Sequence, residues 1–311
     1  MQVVVTEPIH SAPLARLREA ADVLTWDDPR STDWSQADAV IVRAAVVTRS
    51  QILAAPRLKV IGKHGIGVNA IDVEAARERG VQVVYTPTAN VNSVAELVVG
   101  FMLALARKLP ANTRMLRAGA SRISPPELTG VELGGKTLGL VGLGRISQRT
   151  ADICRNGFGM DVAGYDPFVA PARFGELGIV HHAALGSLLA ASDVISVSVP
   201  YTPRTHHLVG AAELALCRPG AILVNTARGG VVDEAALVDA LRHGRLAAAA
   251  CDVFETEPPR PDDPLLALPN FIGSLHVGAA TDEALLRVGH TVVSDVLAVL
   301  RGEKPEFPYA S

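Results

Sequence analysis

Residues 138 to 166 hold a strand, a glycine turn, a helix and a second strand in one short stretch. They read Leu-Gly-Leu-Val-Gly-Leu-Gly-Arg-Ile-Ser, then a run of helical character, then Asp-Val-Ala-Gly-Tyr-Asp. That order leaves few folds open, because each part has a physical task on one ligand. Gly142 permits the tight turn out of the strand, and Gly144 lets the backbone approach a pyrophosphate. The helix opening at Arg145 offers unpaired N–H groups and a positive dipole end. Asp166, at the tip of the next strand, is placed to accept both hydroxyls of an adenosine ribose. The third glycine of the G-x-G-x-x-G pattern is replaced by Ser147, small enough to keep the helix close to its strand. Glycine turns between strand and helix also occur without any nucleotide, so the turn alone decides little. The strand before it, the helix after it and the acid roughly 20 residues on favour a dinucleotide.

The rest of the composition narrows the class. A chain of 311 residues suits two domains rather than one core. It is 49% hydrophobic but only 4% aromatic, as expected where buried parallel strands alternate with helices. The net charge of −3 comes with no basic tract, which argues against nucleic acid and anionic membrane as partners. Cys154, Cys217 and Cys251 share no metal-ligand spacing, so no metal site is expected, and reduced buried thiols in a cytoplasmic protein are the plain expectation. The first residues, Met-Gln-Val-Val-Val-Thr-Glu, lack a basic region and give no sign of a secretory signal. The longest apolar run, Leu97 to Ala106, is too short to span a bilayer.

Strand and helix patterns alternate from the start. Val3–Thr6, Val40–Arg43, Leu58–Ile61 and Val81–Tyr85 read as strands, and Leu14–Ala21, Gln51–Ala55 and Val73–Arg79 as helices. This first α/β domain ends near Thr86-Pro87-Thr88. A long apolar helix from Ser93 to Leu109 and a second from Ala111 to Ala118 suit a crossover, and a loop from Ser121 to Gly135 leads on. Strands then follow at Thr137–Val141, Asp161–Tyr165, Val194–Val199, Ala221–Asn225, Ala247–Val253 and Phe271–Leu275. Helices fall between them, among them Asp233 to His243, with acids where a positive helix end prefers them. A last helix, Thr281 to Leu300, is long enough to return to the first domain. The expected plan is α/β, two doubly wound parallel-sheet domains with the nucleotide domain inserted into the other. A cleft between such domains is the usual place for a ligand.

Functional groups on parallel sheets gather at the carboxyl ends of strands, and three candidates stand there. Arg228 precedes two glycines and has the planar fork that grips a carboxylate. Glu257 precedes Pro258-Pro259 in an acidic loop, where a solvated charge is the competing explanation for both Glu255 and Glu257. His276 is one of nine histidines, most of which must be ordinary. His181-His182 and His206-His207 lack a strand-end position and are assigned no role. Taken together, an imidazole to move a proton, a carboxylate to orient it and favour its charged form, and an arginine to hold an anion would make a mechanism. Opposite a nicotinamide, this supports hydride transfer between a 2-keto acid and a 2-hydroxy acid.

Seven ordered segments carry a resemblance over nearly the whole chain. They are Gly65-Ile66-Gly67-Val68-Asn69-Ala70-Ile71-Asp72, Thr86-Pro87-Thr88-Ala89-Asn90, Ser93-Val94-Ala95-Glu96, Gly142-Leu143-Gly144-Arg145-Ile146, Asn225 through Glu234, Asp252 through Pro259, and His276-Val277-Gly278-Ala279. In these the chain resembles the D-isomer-specific 2-hydroxyacid dehydrogenases, most closely the phosphoglycerate dehydrogenase and hydroxypyruvate reductase branch. The resemblance implies a Rossmann domain, residues 99–285, inserted into a flavodoxin-like substrate domain of residues 1–98 and 286–311. It implies catalytic Arg228, Glu257 and His276, with His276 as acid/base and Glu257 raising its proton affinity. NAD contacts are implied for Arg145, Ile146, Asp166, Val199, Thr226, Ala227, Arg228, Asp252, His276 and Gly278, beside Gly142 and Gly144. Substrate contacts are implied for His64, Gly65, Ile66 and the rest of that loop to Gly67, and for Asn90. The implied substrate is a small anionic 2-keto or 2-hydroxy acid, and the implied assembly a homodimer joined through the nucleotide domain with the helix after Ser93.

The departures from the family pattern are specific. Leu275 stands where a proline usually precedes the histidine. No tryptophan occurs in Gly119-Ala120-Ser121-Arg122, and Arg43-Ala44 replaces the Arg-Ser frequent in the phosphoglycerate branch. No regulatory domain is expected after Ser311, and so no serine feedback through one. Glyoxylate, hydroxypyruvate, 3-phosphohydroxypyruvate, sulfopyruvate and longer keto acids stay open as substrates. Formate oxidation is disfavoured, since relatives with that activity carry Gln where Glu257 stands. A different class, an NAD(H)-sensing scaffold like the family's corepressors, would keep the fold without turnover.

Overall fold

The computed structural model describes residues 1–120 and 126–309. Ser121, Arg122 and Pro125, on which parts of the expected loop and of the missing-tryptophan argument fall, lie outside them. The chain divides into two compact units, Met1–Ser93 with Ala279–Ser311, and Val94–Gly278. Both divisions fall a few residues earlier than the expected bounds after residues 98 and 285.

In the first unit the elements run β1 (Gln2–Val5), α1 (Ser11–Ala20), β2 (Asp22–Leu24), β3 (Ala39–Val42), α2 (Arg49–Leu53), β4 (Val60–Lys63), α3 (Val73–Glu78) and β5 (Gln82–Val84). The sheet order is β2-β1-β3-β4-β5, all parallel, which is the flavodoxin-like arrangement. The register pairs Val42 with Lys63, so β4 runs on past the apolar residues that mark it in the sequence. Strand β2 was not expected: it is a three-residue edge strand that opens on an exposed Asp22, too short to carry a periodic signal.

The inserted unit takes in most of α4 (Val91–Ala106), then α5 (Leu109–Arg117), β6 (Thr137–Val141), α6 (Arg145–Phe158), β7 (Asp161–Tyr165), α7 (Pro171–Glu176), β8 (Val180–His181), α8 (Leu185–Ala191), β9 (Val194–Val197), α9 (Ala211–Leu216), β10 (Ile222–Asn225), α10 (Glu234–Arg242), β11 (Ala248–Cys251) and β12 (Phe271–Gly273). Its parallel sheet has the order β12-β11-β10-β9-β6-β7-β8. Numbered within the unit this is the dinucleotide-fold order 3-2-1-4-5-6 with one further strand, and the order reverses between β6 and β9. Strands β9 to β11 are buried along their whole length, because helices cover both faces. Val98, Met102 and Leu105 of α4 join Leu138 and Leu140 in one core layer, and Ile195, Leu223 and Phe254 lie in the other.

Helix α11 (Asp282–Leu300) completes the first unit, as its length suggested. Thr281 caps it by accepting the Ala284 N–H at 3.2 Å, and Asp282 and Glu283 favour its positive end. Val292, Val293 and Val296 are wholly buried, each contributing about 1.5–3 kcal/mol. Gly62 makes the approach possible, since a Cβ there would lie 2.7 Å from Val296 and 2.8 Å from Val292. Among the described residues no helix is long and apolar enough to cross a membrane.

Candidate active site

Three loops leave the carboxyl ends of β10, β11 and β12 and bring Arg228, Glu257 and His276 together. The first is stapled by its own strand: Asn225 Oδ1 accepts the Ala227 N–H at 3.0 Å, and its Nδ2 donates to the Arg228 carbonyl at 3.3 Å. Gly229 lets this turn lie against the next loop, because a Cβ there would sit 1.9 Å from the Phe254 carbonyl. Arg228 is half-buried and donates from Nη1 to the Ala227 carbonyl at 2.6 Å. Burial pulls its guanidinium below the usual arginine range, against the opposing charge of Glu257.

The loop carrying His276 is organised by Asp252, which is 2% exposed. Oδ1 accepts the Val277 N–H at 2.7 Å and the Ser274 hydroxyl, while Oδ2 accepts the Gly278 N–H at 2.8 Å. The Asp252 carbonyl takes the His276 N–H at 2.8 Å. These bonds hold His276 at φ 51°, a conformation a non-glycine residue rarely adopts. Rigidity that a proline would lend at Leu275 is thus supplied by Asp252. No sequence signal marked Asp252 for this work beyond its place at a strand end.

Glu257 Oε2 accepts from His276 Nδ1 at 2.9 Å, and Oε1 accepts the Phe254 N–H at 3.1 Å. Burial pushes the Glu257 carboxyl up, but the hydrogen bond and charge of His276, the Phe254 N–H and Arg228 together hold it below the ordinary carboxylate range. The pair is therefore an imidazole leaning on a carboxylate.

A second group of residues lines the reversal point of the same sheet. Gly142 has φ 92°, and a Cβ there would meet the Ser198 carbonyl at 2.7 Å and Val199 at 2.8 Å. Gly144 caps α6 with no side chain over the helix end and nothing within 4 Å of where a Cβ would be. Arg145 and Ile146 form the first turn. Asp166 Oδ2 accepts the Leu143 N–H at 2.9 Å and Oδ1 the Phe168 N–H at 3.0 Å, so the carboxylate is tied to the glycine turn. Ser147 is 1% exposed and fits the third glycine's place, and its hydroxyl and that of Thr226 are buried without a hydrogen-bond partner among the described residues. An open helix end, a carboxylate at the strand tip and a buried unpaired hydroxyl at Thr226 fit a dinucleotide.

The remaining candidates lie in the first unit. His64 follows β4 and is 5% exposed, and its Nε2 has no hydrogen-bond partner among the described residues. Burial pushes its imidazole down to about 4, and the charges of Arg43 and Lys63 act the same way, against its own backbone and Glu7. Gly65 and Ile66 continue that loop, and the Gly65 carbonyl accepts the Thr86 N–H at 3.0 Å. Asn90 Oδ1 is likewise buried, with no hydrogen-bond partner among the described residues. Two residues here escaped the sequence reading. Thr86 is fully buried, and its hydroxyl has no hydrogen-bond partner among the described residues. Glu7 gathers the N–H groups of Arg43, Ala44 and Ala45 at 2.6, 2.6 and 3.1 Å, which outweigh its burial and hold its carboxyl low. Its position just past β1 was the available signal. The thiols are free and pushed up by burial, Cys154 to about 12 and Cys217 to about 11, although Cys217 is only partly buried.

Such a sheet order with such a glycine turn defines a dinucleotide-binding α/β protein. The profile of the D-isomer specific 2-hydroxyacid dehydrogenase NAD binding domain matches residues 99–278, and the chain belongs to that family. It is 43% identical, over 98% of its length and 59% of the relative, to the D-3-phosphoglycerate dehydrogenase of Methanocaldococcus jannaschii. The chain spans about three-fifths of the length of the first curated relatives it matches. Among solved structures, a protein from Thermus thermophilus superposes with a TM-score of 0.92 at 37% identity, each chain covered completely. An NADPH-dependent glyoxylate/hydroxypyruvate reductase from Sinorhizobium meliloti superposes with a TM-score of 0.88 at 31% identity, over 99% of this chain and 96% of that one.

Proposed function

We propose that the protein is an NAD-dependent oxidoreductase that interconverts a small D-2-hydroxy acid and its 2-keto acid. The observation that carries this reading is the 2.9 Å pair of His276 Nδ1 with Glu257 Oε2, with Arg228 acting on the same carboxylate. When bound, the nicotinamide supplies or accepts the hydride. His276 Nδ1 is committed to Glu257, so Nε2 gives the proton to the developing alkoxide in reduction and takes it back in oxidation. Glu257 holds the ring in orientation and stabilises its charged form. Arg228 grips the substrate carboxylate and polarises the carbonyl.

In this reading Gly142, Gly144, Arg145, Ile146, Asp166, Val199, Thr226, Ala227, Asp252 and Gly278 hold the cofactor. His64, Gly65, Ile66 and Asn90 contact the substrate, phosphoglycerate, hydroxypyruvate, glyoxylate or a close analogue. The names of the relatives support this class of acid. The homodimer belongs to the same proposal, supported by exposed Leu103 on α4 and Leu109 and Leu116 on α5, as does a cytoplasmic location, which suits free thiols. Purified protein, NADH and a panel of 2-keto acids provide the test. Oxidation of NADH with at least one of them is expected, and failure with the whole panel would favour a nucleotide-sensing scaffold.

A further inference from the structure

Three loops of the inserted unit meet beside one another, and His207, on the first, contacts both of the others. The first loop follows β9, the second is the Arg228 turn and the third carries Glu257. The His207 N–H donates to the Gly230 carbonyl at 2.7 Å, and Val209 and Val231 continue that seam at 3.1 Å. The His207 ring reaches the third loop, with Nε2 3.1 Å from Glu255 Oε1, while Nδ1 lies 3.6 Å from Asp233 Oδ2. The second and third loops are joined directly, the Glu255 N–H donating to Glu234 Oε1 at 2.7 Å.

The local chemistry explains why an imidazole is needed. Glu255, Glu234, Asp233 and Asp263 bring four carboxylates to one place, and burial together with the charges of the other three pushes the Glu234 carboxyl up. Glu255 Oε1 also accepts the Glu234 N–H at 3.4 Å, so the His207 ring is the closer of two donors that hold this carboxylate among like charges. His207 bridges two of these acids and does so at φ 50°, a backbone conformation that favours glycine. Its ring is stacked at 3.9 Å on His206, which bonds the Tyr201 hydroxyl at 3.2 Å through Nδ1. Tyr201 and His206 in turn pack over Gly230, where a Cβ would lie 3.0 Å from the Tyr201 ring.

We propose that His207 is a positioning residue for the proposed reaction: by bonding Glu255 while its own amide is fixed to Gly230, it locks the Phe254–Glu257 turn against the Arg228 turn and so sets the Glu257 carboxylate on His276. This inference rests on the functional reading above. It does not depend on any contact of His207 with a ligand.

The experiment uses the full chain with His207→Ala and His207→Gln, the second of which keeps a donor for Glu255. Histidine-labelled protein, with the His276 resonance assigned from His276→Ala, gives the His276 titration by NMR. In His207→Ala that curve should move toward the curve of Glu257→Gln, and in His207→Gln it should stay near the parent. Glu255→Gln, which leaves the imidazole in place, should move the same way as His207→Ala and serves if the alanine variant does not fold. With a turned-over keto acid, kcat should fall on the order of tenfold in His207→Ala while NADH binding is unchanged. In a Glu257→Gln background the same substitution should add less than about twofold, because both act through one group. A His276 titration unmoved by His207→Ala and Glu255→Gln, or kcat losses that multiply across the double variant, would overturn the proposal. If no keto acid is turned over while the titration still moves, the positioning stands and the proposed activity falls.

Discussion

At the carboxyl ends of the two sheets, the side chains proposed to move a proton and those proposed to recognise a ligand are treated in opposite ways. In the inserted unit the first kind satisfy one another: Glu257 holds His276 and the Phe254 N–H, and Asp252 holds the Ser274–Gly278 loop. His64 Nε2, Thr86 Oγ1 and Asn90 Oδ1 in the first unit, and Thr226 Oγ1 in the inserted one, are buried with no hydrogen-bond partner among the described residues. Buried polar groups are normally paired, and leaving one unpaired costs about 1–3 kcal/mol. The difference separates two kinds of readiness. On the proposed reading, proton-transfer groups are oriented before substrate arrives, whereas groups that recognise a ligand are held open for it.

If the inserted unit holds a preassembled acid/base pair, its removal should give the largest effect. His276→Ala should lower kcat by a factor on the order of 10² to 10⁴ with little change in NADH affinity. Steady-state kinetics beside a direct NADH titration checks this, and near-normal turnover would take His276 out of the mechanism. Arg228→Lys keeps charge but loses the fork, so kcat/KM for keto acids should drop roughly 10- to 100-fold. A lysine variant equal to the parent would mean that a point charge is enough.

The cofactor residues sharpen the same contrast, because the Asp166 carboxylate is already fixed by Leu143 and Phe168. A fixed anion at the ribose meets the 2′-phosphate of NADP as a like charge, and Pro167, Phe168, Val169 and Ala170 supply no cation to offset it. NAD should be preferred, and Asp166→Ala should lose about tenfold in NAD affinity while narrowing the gap with NADP. Kinetics with both cofactors on parent and variant decide it; a parent that prefers NADP would refute Asp166 as the ribose reader.

A smaller effect is expected in pH dependence. His276 and Arg228 help to hold the Glu257 carboxyl below its usual value of 4.5. The Glu257 contribution to stability is therefore full above that value and is lost as pH falls through the lower, folded one. On the proposed mechanism, Glu257→Gln should move the alkaline limb of kcat/KM for reduction to lower pH. An unmoved limb would leave Glu257 as a surface charge.

How far the sequence disclosed this follows from the range of each interaction. Gly142, Gly144 and Asp166 were legible because a glycine turn and the next strand tip are local features. Arg228, Glu257 and His276 were legible because parallel sheets put functional groups after their strands. The limits of several strands were overrun, since Val199, Val253 and Leu275 are apolar loop residues beyond the paired positions, and the short edge strand β8 gave no signal at all. Glu7 binds backbone 36 to 38 residues away, and His207 meets Glu255 across 48 residues. Neither pairing is periodic or motif-like, so only the folded chain reveals it.

The smallest expected effect tests the open side of the contrast. Thr86 is fully buried and its hydroxyl has no partner among the described residues, while its backbone N–H is occupied by the Gly65 carbonyl. Thr86→Val keeps the branched shape and removes only the hydroxyl. In the ligand-free protein it removes an unpaired polar atom, so stability should stay level or rise by about 1 kcal/mol, read as a small increase in Tm. If that hydroxyl is held for the substrate, KM for the keto acid should rise several-fold at little change in kcat, since the loss is in binding rather than in proton transfer. A clear loss of Tm would mean that the hydroxyl is already satisfied in the free protein, and the distinction between paired and open side chains would then fail at this position.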